Sequence, residues 1–366
     1  MLANNWQFWL ALAVSVLLLL LLVYQVDLGE IRSALRDANY LFVVPAVALY
    51  FVAVYFRAVR WRFLLSPLRL IPVSRLYPVI VIGYMANNLL PARLGELVRS
   101  YYLARREQFN TSSALATVAV ERVYDGVTLL AFAAFAGPVL LALGWFSSSS
   151  DTSRTTWLVL AGVTVALFCG ALLFLTSLVV IPRFVELVDW STRIVPVRFR
   201  SNVQELLQTF VQGLRILGSP RQHLMLFLFS VPVWLFECAT YFLIGYSFGI
   251  DQIFGSVWVL ILVILLLTAT SNLATSLPTA IGGIGPFEVV ATQTLLALGV
   301  GASLAAAYAG FVHLVALWLP VTVAGLVLAW KQNLSIKQLI KARRSPDSEP
   351  DAGYLGSVPQ PKEDLS

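Results

Sequence analysis

Charge is what this sequence has least of. Only 12% of its 366 residues are charged, against ~25% in an ordinary soluble domain, while 59% are hydrophobic and the mean hydropathy is +0.81. A chain with so little polar surface cannot cover itself in water, which excludes a soluble globular protein. Cysteine is scarce too. Cys169 and Cys238 both sit inside apolar runs, so neither a disulfide framework nor a thiolate metal site is indicated. His223 and His313, far apart in sequence, are read as structural residues, and no metal or cofactor is expected. No D-x-D and no G-x-x-x-x-G-K-S/T occurs, which disfavours a typical nucleotide-sugar enzyme and internal ATP use. The net charge of +6 does not imply nucleic acid, because the basic residues lie between apolar runs.

What is there is a series of long apolar runs. A spanning helix needs roughly 20 apolar residues to cross about 30 Å of hydrocarbon. Eight spans are expected, at Phe8–Val26, Tyr40–Val59, Ser113–Leu143, Trp157–Val180, Leu224–Tyr246, Phe254–Leu273, Phe287–Val300 and Ala305–Trp330. The first lacks a basic leader and a small-residue cleavage site before Asp27, and reads as a signal anchor.

The connectors alternate in charge. Arg57–Arg75 carries arginines 57, 60, 62, 69 and 75 without an acid, and Pro182–Arg221 carries six arginines against Glu186, Asp189 and Glu205. Asp27–Asn39, Phe146–Thr156 and Gly249–Gln252 are poorer in cations. By the positive-inside rule the basic connectors and both termini are cytoplasmic, in a multi-pass protein of the cell membrane.

No lysine precedes Trp330, so every cation of the membrane domain is an arginine. Arginine forks suit phosphate, although genome composition would produce the same bias. Ser201 with Gln204 reads as a capping box opening an amphipathic interfacial helix over 201–217, ended by Gly218-Ser-Pro220. The membrane domain is placed at 1–344 and a disordered tail at 345–366.

Two apolar segments are interrupted. One, from Tyr77 to Arg106, contains Gly83, Asn87, Asn88, Pro91 and Gly95; the other, from Thr268 to Gly299, contains Asn272, Pro278, Gly282, Gly283, Gly285 and Glu288. The order Asn, Pro, Gly, Glu recurs in both. Non-helical backbone persists at membrane depth only where protein or a wet cavity satisfies it, so paired interruptions point to a transporter with internal repeats, here about 40–180 and 222–330. Ordinary kinked spans would carry the same residues.

The ionisable residues cluster nearby. Arg93, Glu96 and Arg99 share a helix face; Glu121 and Asp125 are one turn apart, with Arg122 three residues before Asp125. Each buried charge costs on the order of 3 kcal/mol at membrane depth, so these should pair, as Arg93–Glu121 or Arg122–Glu96, or face a headgroup. Gly285-Pro-Phe-Glu288 has the layout of a helix start whose preceding glycines could cradle a phosphate, unless the Glu288 carboxylate occupies those donors. Glu237 is a lone intramembrane acid, a packing residue paired with some cation or a site of proton coupling.

Three motifs, Asn88-Leu-Leu-Pro91-Ala-Arg93-Leu-Gly95-Glu96-Leu-Val-Arg99, Glu121-Arg122-Val-Tyr-Asp125 and Pro278-Thr-Ala-Ile-Gly-Gly283-Ile-Gly285-Pro-Phe-Glu288, resemble the flippase-like membrane domain of lysylphosphatidylglycerol synthases, the multiple peptide resistance factor type. The resemblance covers most of Tyr40–Trp330 and has no counterpart of the soluble synthase domain. It implies an all-α polytopic membrane protein, about eight transmembrane helices plus two re-entrant or broken ones. Such a domain moves a lipid between leaflets, an anionic or aminoacylated phospholipid or a polyprenyl-linked sugar. The motif residues, with Asn272 and Gly282, would then line the substrate site. The competing expectations are a membrane transferase acting on polyprenyl-linked sugars and an accessory subunit of a lipid-modifying enzyme; a homo-oligomer is compatible with each.

Overall fold

The computed structural model describes residues 6–90, 94–109, 111–146, 219–276 and 282–332, with short pieces of helix between 159 and 177. Every regular element among them is helical. Helix α1 (Trp6–Tyr24) turns through 87° into α2 (Leu28–Asp37), whose N-terminus is capped by the Asp27 carboxylate. There follow α3 (Val43–Leu65), α4 (Val73–Leu89), α5 (Gly95–Glu107), α6 (Thr111–Ala142), α7 (Pro220–Ser247), α8 (Val257–Ala274), α9 (Pro286–Ala297) and α10 (Ala302–Phe311). A π-helical segment, Val312–Trp318, joins α10 to α11 (Leu319–Lys331).

Among the described residues five helices are long and apolar enough to cross a membrane: Tyr40–Leu65, Ser113–Ala142, Arg221–Ser247, Val257–Ala274 and Ala302–Lys331; the bent α1–α2 pair makes a sixth if it counts as one span. The expected span Phe287–Val300 is instead the 12-residue α9, which at 1.5 Å per residue reaches about 18 Å, well short of the bilayer. It belongs to the second interrupted segment. Most of the expected span Trp157–Val180, the amphipathic helix at 201–217 and the tail lie outside the described residues. A second difference concerns Arg57 and Arg60, read from sequence as part of a basic connector. Helix α3 runs on to Leu65 and buries them at 5% and 0% exposure.

The helices pack in matched pairs. At the centre α3 and α7 run antiparallel, with Thr240 donating to the Ala46 carbonyl at 3.1 Å, Phe56 stacked on Phe236 and Phe63 against Phe229. Around them α4 packs on α11 as α8 packs on α6; α4 on α5 as α8 on α9; α5 on α6 as α9 on α10; and α3 on α4 as α7 on α8. Exchanging the two halves maps this set of contacts onto itself. Close approach depends on small residues, because lipid gives helices no hydrophobic incentive to associate. A methyl added at Gly325 on α11 would lie 2.4 Å from Met85 Cβ on α4, and one at Gly95 would lie 2.0 Å from the Gly83 carbonyl oxygen.

Candidate functional site

The α4–α5 break is held from within. Asn87 Oδ1 accepts from Gly95 N at 2.8 Å, taking one of the donors exposed at the start of α5. The neighbouring Asn88 reaches the other way, its Nδ2 donating to the Trp318 carbonyl at 3.1 Å and to Thr322 Oγ1 at 2.9 Å, across to the π segment and α11. Residues 91–93, and with them Pro91 and Arg93, lie outside the described residues.

Behind this break α3, α5, α6 and α7 bring their charges together. Arg60 contacts Asp125 at 2.7 Å and Glu121 at 3.1 Å, and donates to Ser230 Oγ. Arg99 approaches Glu121 at 3.2 Å, with its guanidinium over the Trp61 ring. Arg122 contacts Glu121 at 2.7 Å and Asp125 at 3.1 Å, and Trp234 Nε1 donates to Asp125. Beside this cluster, Arg57 pairs with Glu237 at 2.6 Å and lies over the faces of Tyr84 and Trp234. Opposite charges in low dielectric are worth having only with such close geometry; removing one member leaves an uncompensated charge, at a cost of about 3–5 kcal/mol.

The expected Arg122–Glu96 pair is present but loose, at 3.7 Å, with both side chains about a quarter exposed. Glu121 finds Arg60, Arg99 and Arg122 among the described residues. Of the two alternatives for Glu237, the structure shows the pairing with a cation from another helix, Arg57 of α3. Arg57 and Arg60 are the functional candidates that sequence reading passed over. Their signal was the face they share, at three-residue spacing, inside a helix whose only other charged residue is Arg62.

The α8–α9 break is closed on itself. Glu288 Oε2 accepts from Gly285 N at 2.7 Å, a capping role that occupies a donor of the expected phosphate cradle, and Oε1 meets His313 Nδ1 at 2.6 Å. His313 Nε2 lies 3.2 Å from the Gly282 carbonyl, and its ring stacks on Phe287. Gly283 and Gly285 adopt φ of 85° and 102°, and a methyl on Gly285 would meet Ser15 of α1 at 3.1 Å. These two glycines therefore serve backbone geometry. Asn272 Nδ2 donates to Tyr241 Oη and to the Thr268 carbonyl; Pro278 lies outside the described residues.

The two breaks meet at a cavity of about 390 Å³. Asn87, Asn88 and Glu96 reach it from the first break, Asn272, Thr275 and Gly282 from the second, and Arg57, Arg122, Asp125 and Glu237 from the central helices, with Tyr50, Tyr84 and Trp234 supplying aromatic wall. Of the residues singled out in the sequence, Arg99, Glu121 and Glu288 lie behind this surface as supports; they are buried and do not line it. Among the described residues no group of His, Cys, Asp and Glu could hold a metal ion.

Residues 8–324 match the profile of the lysylphosphatidylglycerol synthase TM region. A relative from Haloferax volcanii named glycosyltransferase AglD is 30% identical over 314 residues, an alignment covering 78% of this chain and 48% of that protein, so the chain spans about half of AglD's length. A UPF0104 membrane protein of Methanothermobacter thermautotrophicus is 25% identical, with 84% of this chain and 90% of the relative covered. UPF0104 membrane protein PH1989 of Pyrococcus horikoshii is 23% identical, with 90% and 98% covered. No solved structure matches.

Proposed function

The chain belongs to the lysylphosphatidylglycerol synthase transmembrane-region family, a multi-pass membrane protein, and we propose that it moves a lipid or lipid-linked substrate between leaflets through the cavity where its two helix breaks meet. The observation that carries this reading is the convergence of both breaks on one polar cavity inside a protein whose outer surface is apolar, as in the exposed side chains of α1. Its volume sits at the low end of the ~300–1,000 Å³ usual for small-molecule sites, which suits a headgroup whose tails stay in the bilayer. The exchangeable contacts of the two halves, together with the antiparallel α3 and α7, support an origin in two copies of inverted orientation. Such repeats give alternating access by tilting one half against the other around a fixed site.

The test is movement of acyl-labelled phospholipid in vesicles containing the purified protein, followed by quenching from outside. The native protein should exceed protein-free vesicles, and Arg57→Ala should slow movement by about tenfold or more, the loss of one charge-assisted contact. A second reading, a membrane part serving a lipid-modifying enzyme, draws on AglD, named a glycosyltransferase and twice the matched length. No movement by the purified protein would favour that reading. For orientation, with both termini proposed to be cytoplasmic in the cell membrane, Ser33→Cys on α2 should react with an impermeant thiol reagent outside intact cells, and Ser66→Cys beyond α3 should not, each in a cysteine-free background. The opposite pattern would invert the topology.

A further inference from the structure

The charged groups lining the cavity are not equally satisfied. Arg57 commits an Nη to Glu237, and Arg122 commits its Nη2 to Glu121 and Asp125. Each keeps a buried Nε–H with no hydrogen-bond acceptor, although both side chains line the cavity. Unsatisfied donors on a cation are an unfavourable state in a low-dielectric site, and a phosphate oxygen is the acceptor that guanidinium N–H groups match best. On the acceptor side, the carboxylate of Glu96 has one polar contact among the described residues, the 3.7 Å approach to Arg122, which is too long for a hydrogen bond. Arg122 and Glu96 are also more exposed than the members of the network behind them, with side chains 29% and 24% accessible. This is therefore the pair that can open without disturbing the fully buried cluster around Arg60.

A ligand that separates the pair must replace what each partner loses. An anionic headgroup would satisfy Arg122 and leave Glu96 facing a second negative charge; a cationic one would do the reverse. A headgroup carrying both signs satisfies both ends at once and adds no net charge to a site surrounded by hydrocarbon. Because Nε of Arg122 and the Glu96 carboxylate are adjacent, the two ligand charges must also be adjacent, joined by a linker of a few bonds. Glu96 accepts hydrogen bonds and so favours an ammonium that still carries N–H groups over a quaternary one. We propose that the cavity takes a compact zwitterionic headgroup of the phosphoethanolamine kind, its phosphate on Arg57 and Arg122 and its primary amine on Glu96. This rests on the transport reading above.

The experiment compares acyl-labelled phosphatidylethanolamine, phosphatidylcholine and phosphatidylglycerol in vesicles containing the full chain. The native protein should move phosphatidylethanolamine about tenfold faster than either of the others. Glu96→Gln should slow phosphatidylethanolamine by about tenfold and leave phosphatidylglycerol at least as fast as before, abolishing the preference. Native protein that moves phosphatidylglycerol faster overturns the zwitterion while leaving the transport reading intact, and movement of none of the three overturns both. If Glu96→Gln does not fold, the native preference for the primary amine over phosphatidylcholine decides alone; equal rates reject the amine site. Soluble glycerophosphoethanolamine, which has the same headgroup without tails, should compete only weakly. Binding as tight as that of the lipid would assign the site to a free headgroup and overturn the lipid assignment.

Discussion

The two helix breaks share an architecture and differ in chemistry. At α8–α9 the acid is spent locally: both oxygens of Glu288 are engaged, one by Gly285 N and one by His313. At α4–α5 the capping task falls to neutral Asn87, and the acid of that helix start, Glu96, is left in the cavity wall beside Arg122. The comparison teaches that an acid in the first turn of a helix at membrane depth has two uses. It can close the break, or it can face a ligand once another side chain closes the break for it. The residue order Asn, Pro, Gly, Glu is the same in both segments and does not tell the two uses apart.

The comparison can be broken most severely behind the first break. Arg60→Ala removes the fully buried cation shared by Asp125 and Glu121, and should cost about 3–5 kcal/mol, seen as a collapse of the thermal midpoint in detergent. An unchanged midpoint would mean that these charges are not packed as described. Next come the close approaches. Gly95→Ala drives a methyl to 2.0 Å from the Gly83 carbonyl, whereas Gly137→Ala meets nothing nearer than Leu266 at 3.9 Å. The first should destabilise by about 1–3 kcal/mol or more through overpacking, and the second by less than about 0.5 kcal/mol; equal effects would argue against the tight α4–α5 contact.

The acids themselves sharpen the contrast. Glu288→Gln should lower stability by about 1–3 kcal/mol, because a buried carboxylate engaged on both oxygens is replaced by an amide that His313 cannot pair with equally well. Its effect on the choice among headgroups should be small, so a change of lipid preference as large as that of Glu96→Gln would erase the distinction between the breaks. The smallest effect belongs to the loose pair. A double-mutant cycle of Glu96→Gln and Arg122→Gln should return a coupling of only about 0.2–1 kcal/mol in detergent stability, as for partly exposed ion pairs. Coupling several times larger would show a structural bridge instead of an opening one.

Much of the fold was legible. Long apolar runs mark α3, α6, α7, α8 and the last span, and the Gly, Asn and Pro interruptions mark the two breaks. Phe287–Val300 misled because an apolar run of that length does not say whether its helix crosses the membrane or turns back; its start at Gly285-Pro286 was the signal of a short helix. Arg57 and Arg60 misled because a cation near the end of an apolar run is read by convention as a topology marker.

By itself the sequence determined the class of the protein, since a chain this poor in charge belongs in lipid, where the backbone is satisfied only as helices or closed barrels, and its apolar runs have the length of spanning helices. It also determined that its few ionisable residues must find partners, because an isolated charge is too costly at that depth. Which partners they find was decided only by the tertiary structure. Helical periodicity puts Arg57 and Arg60 on one face of α3 and Glu121 and Asp125 on one face of α6, but it does not say which helix each face meets. The antiparallel crossing of α3 and α7 gives Glu237 to Arg57, and the packing of α5 on α6 gives Glu121 to Arg99. Among the described residues Glu96 is thereby left in the cavity wall with only a loose hold on Arg122.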